Sequence, residues 1–218
     1  MTNHLIWAAG VLGHLLLLAV LLVRKRGARF PWFTLLILFY LVRSVGLVAA
    51  LHFSRRPASL LATSIIDLTD ILLQFAVLAE MASSGLRPLG VFRRITLPLL
   101  LLSSGVVVVL RLAPAGRTTV SVVLILCHFL LSVLMVEWSI VLAFLVRPMR
   151  LSWRSHVAVI TFGFGVYSAA LLAGGGYFRS GREMSDYVFF SFFRVIVYLV
   201  VLGWWVGGLW MPEIGHSD

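Results

Sequence analysis

The sequence predicts an all-α fold, a polytopic membrane protein built as a seven-helix transmembrane bundle, and three observations carry that prediction. The chain is 61% hydrophobic and only 12% charged over 218 residues, whereas a soluble domain carries about a quarter charged residues. Its apolar residues come in runs of about 20, the length that crosses the hydrocarbon core as a helix. Runs such as 97–110 and 121–134 are apolar on all sides, which excludes the alternating strands of a membrane β-barrel. In lipid each span must then close its own backbone hydrogen bonds as a helix.

The spans lie at about 4–23, 31–51, 60–82, 95–112, 119–146, 153–174 and 187–210, one transmembrane domain over 1–218. The first is stopped by Arg24-Lys25-Arg26-Gly27. Arg55-Arg56-Pro57 separates the second from the third. Gly85-Leu86-Arg87-Pro88 and Arg93-Arg94 separate the third from the fourth, and Pro114-Ala115-Gly116 turns the chain into the fifth. Arg147-Pro148 ends the fifth, and Gly174-Gly175-Gly176 ends the sixth. No Lys or Arg precedes the first apolar run, and a basic cluster follows it. That is the reverse of a cleavable signal peptide.

The same cluster orients the bundle with its N-terminus outside and its C-terminus inside. The inner connections then hold Arg24, Lys25, Arg26, Arg29, Arg87, Arg93, Arg94, Arg147, Arg150 and Arg154. The outer ones hold Arg55, Arg56, Arg111, Arg117, Arg179 and Arg182. This bias has the sign of the positive-inside rule, and Trp32, Trp153, Trp204, Trp205 and Trp210 fall near the inner boundary, where indoles prefer to sit. The net charge of +10 therefore serves topology and attracts anionic lipids on the inner face. No basic tract interleaved with aromatics exists to hold nucleic acid. The location expected is the cell inner membrane, multi-pass.

Ionisable groups inside spans are costly and point to function by default. Asp67, Asp70 and Gln74 share one face of the third span at helical spacing. Arg43 in the second, His128 in the fifth and Arg194 in the seventh lie at a similar depth in the outer half. Tyr187, Ser191, Arg194, Tyr198 and Trp205 fall near one face of the seventh. These residues should face inward around a polar outer cavity formed by the second, third, fifth and seventh spans. Two readings stay open: structural ion pairs that fix helix packing, or a site for a ligand, ion or proton.

Nearer the inner side, Glu80 is expected to reach the head groups and pair with a loop arginine. Glu137 is expected to contact an inner arginine, and His156 to be an interfacial hydrogen-bonding residue. Gly203 and Gly207 form a GxxxG spacing and Gly163-Phe164-Gly165 opens the sixth span, all expected to serve packing within the bundle. The lone Cys127 leaves no disulfide framework or cysteine metal cluster, and no metal site is expected. His14 and His128 on separate helices could ligate a haem, but no supporting motif accompanies them, so no cofactor is expected.

Several activities are excluded by missing residues. A retinal Schiff base needs a lysine within a span, and the only lysine is Lys25, in a loop. The Asp-Arg-Tyr and Asn-Pro-x-x-Tyr patterns of G-protein-coupled receptors are absent, as is His-Glu-x-x-His. Ser103-Ser104-Gly105 has no base at its depth, and Asp67-x-x-Asp70 is too sparse for a phosphatidyl-transfer centre.

The segment Leu151-Ser152-Trp153-Arg154-Ser155-His156-Val157, the segment Arg29-Phe30-Pro31-Trp32-Phe33 and the pair Arg43-Ser44 resemble a family of uncharacterised seven-span membrane proteins of acidobacteria. The resemblance covers most of the chain and implies a topology, with no activity or functional residue to carry over. The expected function is a non-enzymatic inner-membrane protein, either a small-ligand sensor or an accessory or scaffold subunit docking to other membrane proteins. The alternatives are a proton- or ion-coupled permease and a lipid-modifying membrane enzyme.

Overall fold

Among the described residues six helices form where the apolar runs lie: α1 (Thr2–Val23), α2 (Pro31–Phe53), α3 (Leu60–Gly85), α4 (Val120–Val146), α5 (His156–Phe178) and α6 (Met184–Trp210). The computed structural model describes residues 2–53, 60–85, 120–146, 155–178 and 184–212, with Pro98, Leu102 and Gly105 singly. The expected span at 95–112, Trp153, the Tyr187 side chain and most loop arginines lie outside the described residues. Five helices are long and apolar enough to cross a membrane, and α2 adds a shorter apolar run, Pro31–Gly46. Their outward faces carry exposed Leu, Ile, Val and Phe, such as Leu12, Leu16, Ile65, Leu72, Phe144 and Val200. This is a membrane protein.

The turn between α1 and α2 shows how sequence sets the local structure. The Arg26 N–H reaches Leu21 O (2.8 Å) and the Lys25 N–H reaches Leu22 O (3.0 Å), the paired bonds of a Schellman helix ending. Lys25 takes the left-handed conformation this ending requires (φ 53°), where glycine is usual. Pro31 then opens α2, its preset φ and missing N–H suiting the first helical position. Phe30 before it has no side-chain acceptor to cap the helix. Glu80 of α3 supplies one, accepting the N–H groups of Trp32 (3.2 Å) and Phe33 (3.1 Å). The carboxylate of Glu80, expected to pair with a loop arginine, takes two orphan donors at the positive end of the α2 dipole, while Arg87, Arg93 and Arg94 lie outside the described residues.

The helices pack in a closed ring in chain order, with α6 returning to α1 and a lesser contact between α3 and α5. Most neighbours are antiparallel. Tyr40 meets Asp70 while Trp32 meets Glu80, and Tyr167 meets Tyr198 while His156 meets the Met211 carbonyl. Two pairs run parallel. His14 meets Tyr198 and Arg24 lies over the Trp210 ring, so α1 and α6 share a direction. Gln74 and Ser132 line one cavity while Gly85 abuts Trp138 and Leu142, so α3 and α4 do also.

Between apolar helices in lipid there is little transfer energy to gain, and close packing has to hold them. Small residues provide it. A Cβ at Gly163 would overlap the Trp205 indole, one at Gly208 the Val159 side chain, and one at Gly165 the Ser139 hydroxyl. Trp204 Nε1 and Trp205 Nε1 donate to the carbonyls of Val159 (3.0 Å) and Ile160 (3.3 Å) across the same seam. Trp205 is 1% exposed, so its expected place at the membrane boundary is corrected. The gap left by Gly163 admits the ring to the core, where it stacks with Phe33 and Phe164 at 5.2 and 4.8 Å. His156, expected at the interface, is fully buried, with Nε2 3.2 Å from Met211 O. Gly203 and Gly207 do not pack within the bundle: both are exposed and nothing lies near a Cβ on either, because Leu202, Trp205 and Leu209 set the inward face of α6.

Candidate functional site

Above the Phe33–Phe164–Trp205 layer, all six helices open around one cavity of about 620 Å³. Helix α3 brings Asp67, Asp70 and Gln74 to it because residues three and four apart share a face. Arg43, one turn beyond Tyr40 on α2, reaches both carboxylates: Nη1 lies 3.3 Å from Asp70 Oδ2 and Nη2 lies 3.6 Å from Asp67 Oδ1.

The two carboxylates differ. Asp70 Oδ1 also accepts from Tyr40 Oη (3.0 Å) and Gln74 Nε2 (2.8 Å), and the Gln74 amide reaches Tyr40 Oη as well (3.1 Å). Its side chain is 10% exposed, whereas that of Asp67 is 40% exposed and meets only the long contact to Arg43 among the described residues. Asp70 is thus satisfied within a network, and Asp67 keeps acceptor capacity toward the cavity.

The opposite wall holds Arg194 and Tyr198 from α6 and Tyr167 from α5. Among the described residues no carboxylate pairs with Arg194. The Tyr167 ring packs against that of Tyr198 at 5.3 Å on this wall. The Arg43–Asp67–Asp70 group carries one net negative charge and Arg194 one positive, and the cavity is neutral in sum but polarised.

His14 closes the lower end. Its Nδ1 donates to Gly10 O (2.6 Å), which leaves Nε2 of the neutral ring to accept from Tyr198 Oη (2.5 Å). The rings of His14, Tyr40, Tyr167 and Tyr198 meet at centroid separations of 5.3–6.5 Å. Trp7 donates to Ser44 O (3.3 Å) at the outer rim, joining α1 to α2.

Every residue expected at the outer cavity, namely Arg43, Asp67, Asp70, Gln74, His128, Arg194 and Tyr198, lines this space. The walls are more than the four helices expected, since α1 and α5 also contribute. Glu80, Glu137 and His156 do not line it. Sequence reasoning did not place Trp7, Tyr40, Ser132 and Tyr167 here. Tyr40 had a signal, lying three residues before Arg43 on the same face. His14 and His128 line the same cavity, but both His14 nitrogens already have protein partners. Among the described residues no group of three metal-ligating side chains comes together. Searches of protein-family models, curated proteins and solved structures find no match to this chain.

Proposed function

We propose that this chain is a seven-span inner-membrane protein, N-terminus outside and C-terminus inside, that receives a small polar ligand from the outer side. It would act as a sensor or as an accessory subunit of a membrane complex. The observation that carries this reading is the polarised cavity, which gathers charged side chains from three helices and is floored by the packed rings of Phe33, Phe164 and Trp205.

Parity supports the seven crossings. Helices α3 and α4 start at the same end, and α1 and α6 share a direction, which agrees with an odd number of crossings. The floor weighs against a permease, which needs a polar route onward; Glu80 is engaged as the cap of α2 and Glu137 does not face the cavity. A lipid-modifying enzyme has less support, because no serine or cysteine nucleophile lies against a base among the cavity residues.

The test is water access. In a Cys127→Ser background, the Ser44→Cys variant should react with a membrane-impermeant maleimide added outside intact cells. Labelling only after the inner face is exposed would reverse the orientation, and no labelling from either side would remove the cavity.

A further inference from the structure

We infer that the cavity takes a zwitterion, an ammonium group and an acidic group in one small molecule, with the ammonium at Asp67 and the acidic group at Arg194. This rests on the reading of the cavity as a ligand site and names its chemistry.

Three observations carry it. First, the α2–α3 wall is one charge short of neutral, because a single guanidinium serves two carboxylates. Asp70 has its bonds filled by Tyr40, Gln74 and Arg43, so the spare negative charge resides on Asp67. Second, Arg194 on the α6 wall meets no carboxylate among the described residues while lining the same space. A guanidinium at membrane depth is costly, and its planar fork suits a carboxylate or phosphate. Third, the two walls balance only in sum. A pure cation would leave Arg194 unanswered, and a pure anion would leave Asp67 so. A molecule carrying both charges answers both, and the rings of Trp7, Phe129, Tyr167 and Tyr198 offer apolar surface to the rest of it. The volume of about 620 Å³ lies in the usual range for small-molecule sites.

Two sources share this chemistry: a free amino acid from the outer side, and the ammonium–phosphate head group of phosphatidylethanolamine entering from the leaflet. Calorimetric titration of the purified full chain, held in phosphatidylglycerol nanodiscs, separates them. The probes are a panel of neutral α- and ω-amino acids and, for the tightest binder, its decarboxylated amine and its deaminated acid. A parallel arm uses nanodiscs containing phosphatidylethanolamine, with native mass spectrometry for retained lipid.

The expected result is a zwitterion that binds at least about tenfold more tightly than either half, the scale of one charge-assisted contact. Arg194→Gln should remove the contribution of the acidic group and leave the amine half unchanged, and Asp67→Asn should do the reverse. Arg194→Lys should restore part of the affinity, which a merely structural arginine would not do. Retained phosphatidylethanolamine with no binding from the panel assigns the site to the lipid head group. Halves that bind as well as the whole overturn the inference, and so does a failure of both the panel and the lipid. If Ser44→Cys still labels from outside in that case, the cavity stands and only its ligand class is wrong.

Discussion

Tyr198 donates its hydroxyl to Nε2 of His14 across 184 residues of sequence, tying the last helix of the ring to the first. His14 is 3% exposed, so its ring is held by the surrounding helices and the bond to Tyr198 joins two packed elements. Tyr198→Phe should lower stability by about 0.5–2 kcal/mol. His14→Phe should cost a similar amount, and the double variant should cost clearly less than the two together. Thermal unfolding in detergent checks this, and strict additivity would show that the bond contributes nothing.

The start of α2 depends on a side chain from another helix. Glu80→Ala strips the acceptor from two backbone donors and should cost about 1–2 kcal/mol. The local signature is hydrogen exchange, which should quicken at the Trp32 and Phe33 amides well before the rest of α2. Unchanged protection there would refute the cap.

Glycines on one helix should behave in opposite ways. Gly208→Ala drives a methyl into Val159, and on the facing helix Gly163→Ala drives one into the Trp205 indole. Each should destabilise the isolated chain by about 1–3 kcal/mol. Gly203→Ala and Gly207→Ala meet nothing within the chain and should leave its melting temperature unchanged or slightly raised, given the better helix propensity of alanine.

Lys25 holds a backbone conformation that a β-carbon disfavours. Lys25→Gly should relieve this and stabilise the chain by about 0.5–1 kcal/mol in detergent. In cells it also removes one positive charge beside the first span, so the fraction correctly oriented should fall slightly, as read by a reporter fused to the N-terminus.

Much of this architecture could be read from residue order because lipid makes few demands and makes them everywhere. Run length alone located the helices: the expected spans at 4–23 and 187–210 meet Thr2–Val23 and Met184–Trp210. Depth and helical spacing brought Arg43, Asp67, Asp70 and Arg194 to the lining of one cavity, Asp70 buried and the two arginines exposed at its edge, since charges avoid acyl chains. Contacts fixed by neighbouring helices were not legible. An indole near the end of a span looks interfacial until the neighbouring helix offers a glycine, and so Trp205 was misplaced. Glu80 looked like a head-group residue because nothing local says that α2 starts beside it with two free donors. Tyr40 and Tyr167 are aromatic residues within apolar helices, and composition does not distinguish a cavity wall from a packed core.

Because α6 supplies Arg194 and Tyr198 and also closes the ring against α1, the cavity cannot exist before that helix has packed. Until that final helix enters the bilayer, the imidazole of His14 has only its own backbone to bond with, and the network around Asp70 lies open along one side. Assembly of the charged interior therefore waits on α6, and a chain cut short after α5 would lack both the second guanidinium of the cavity and the hydroxyl that binds His14.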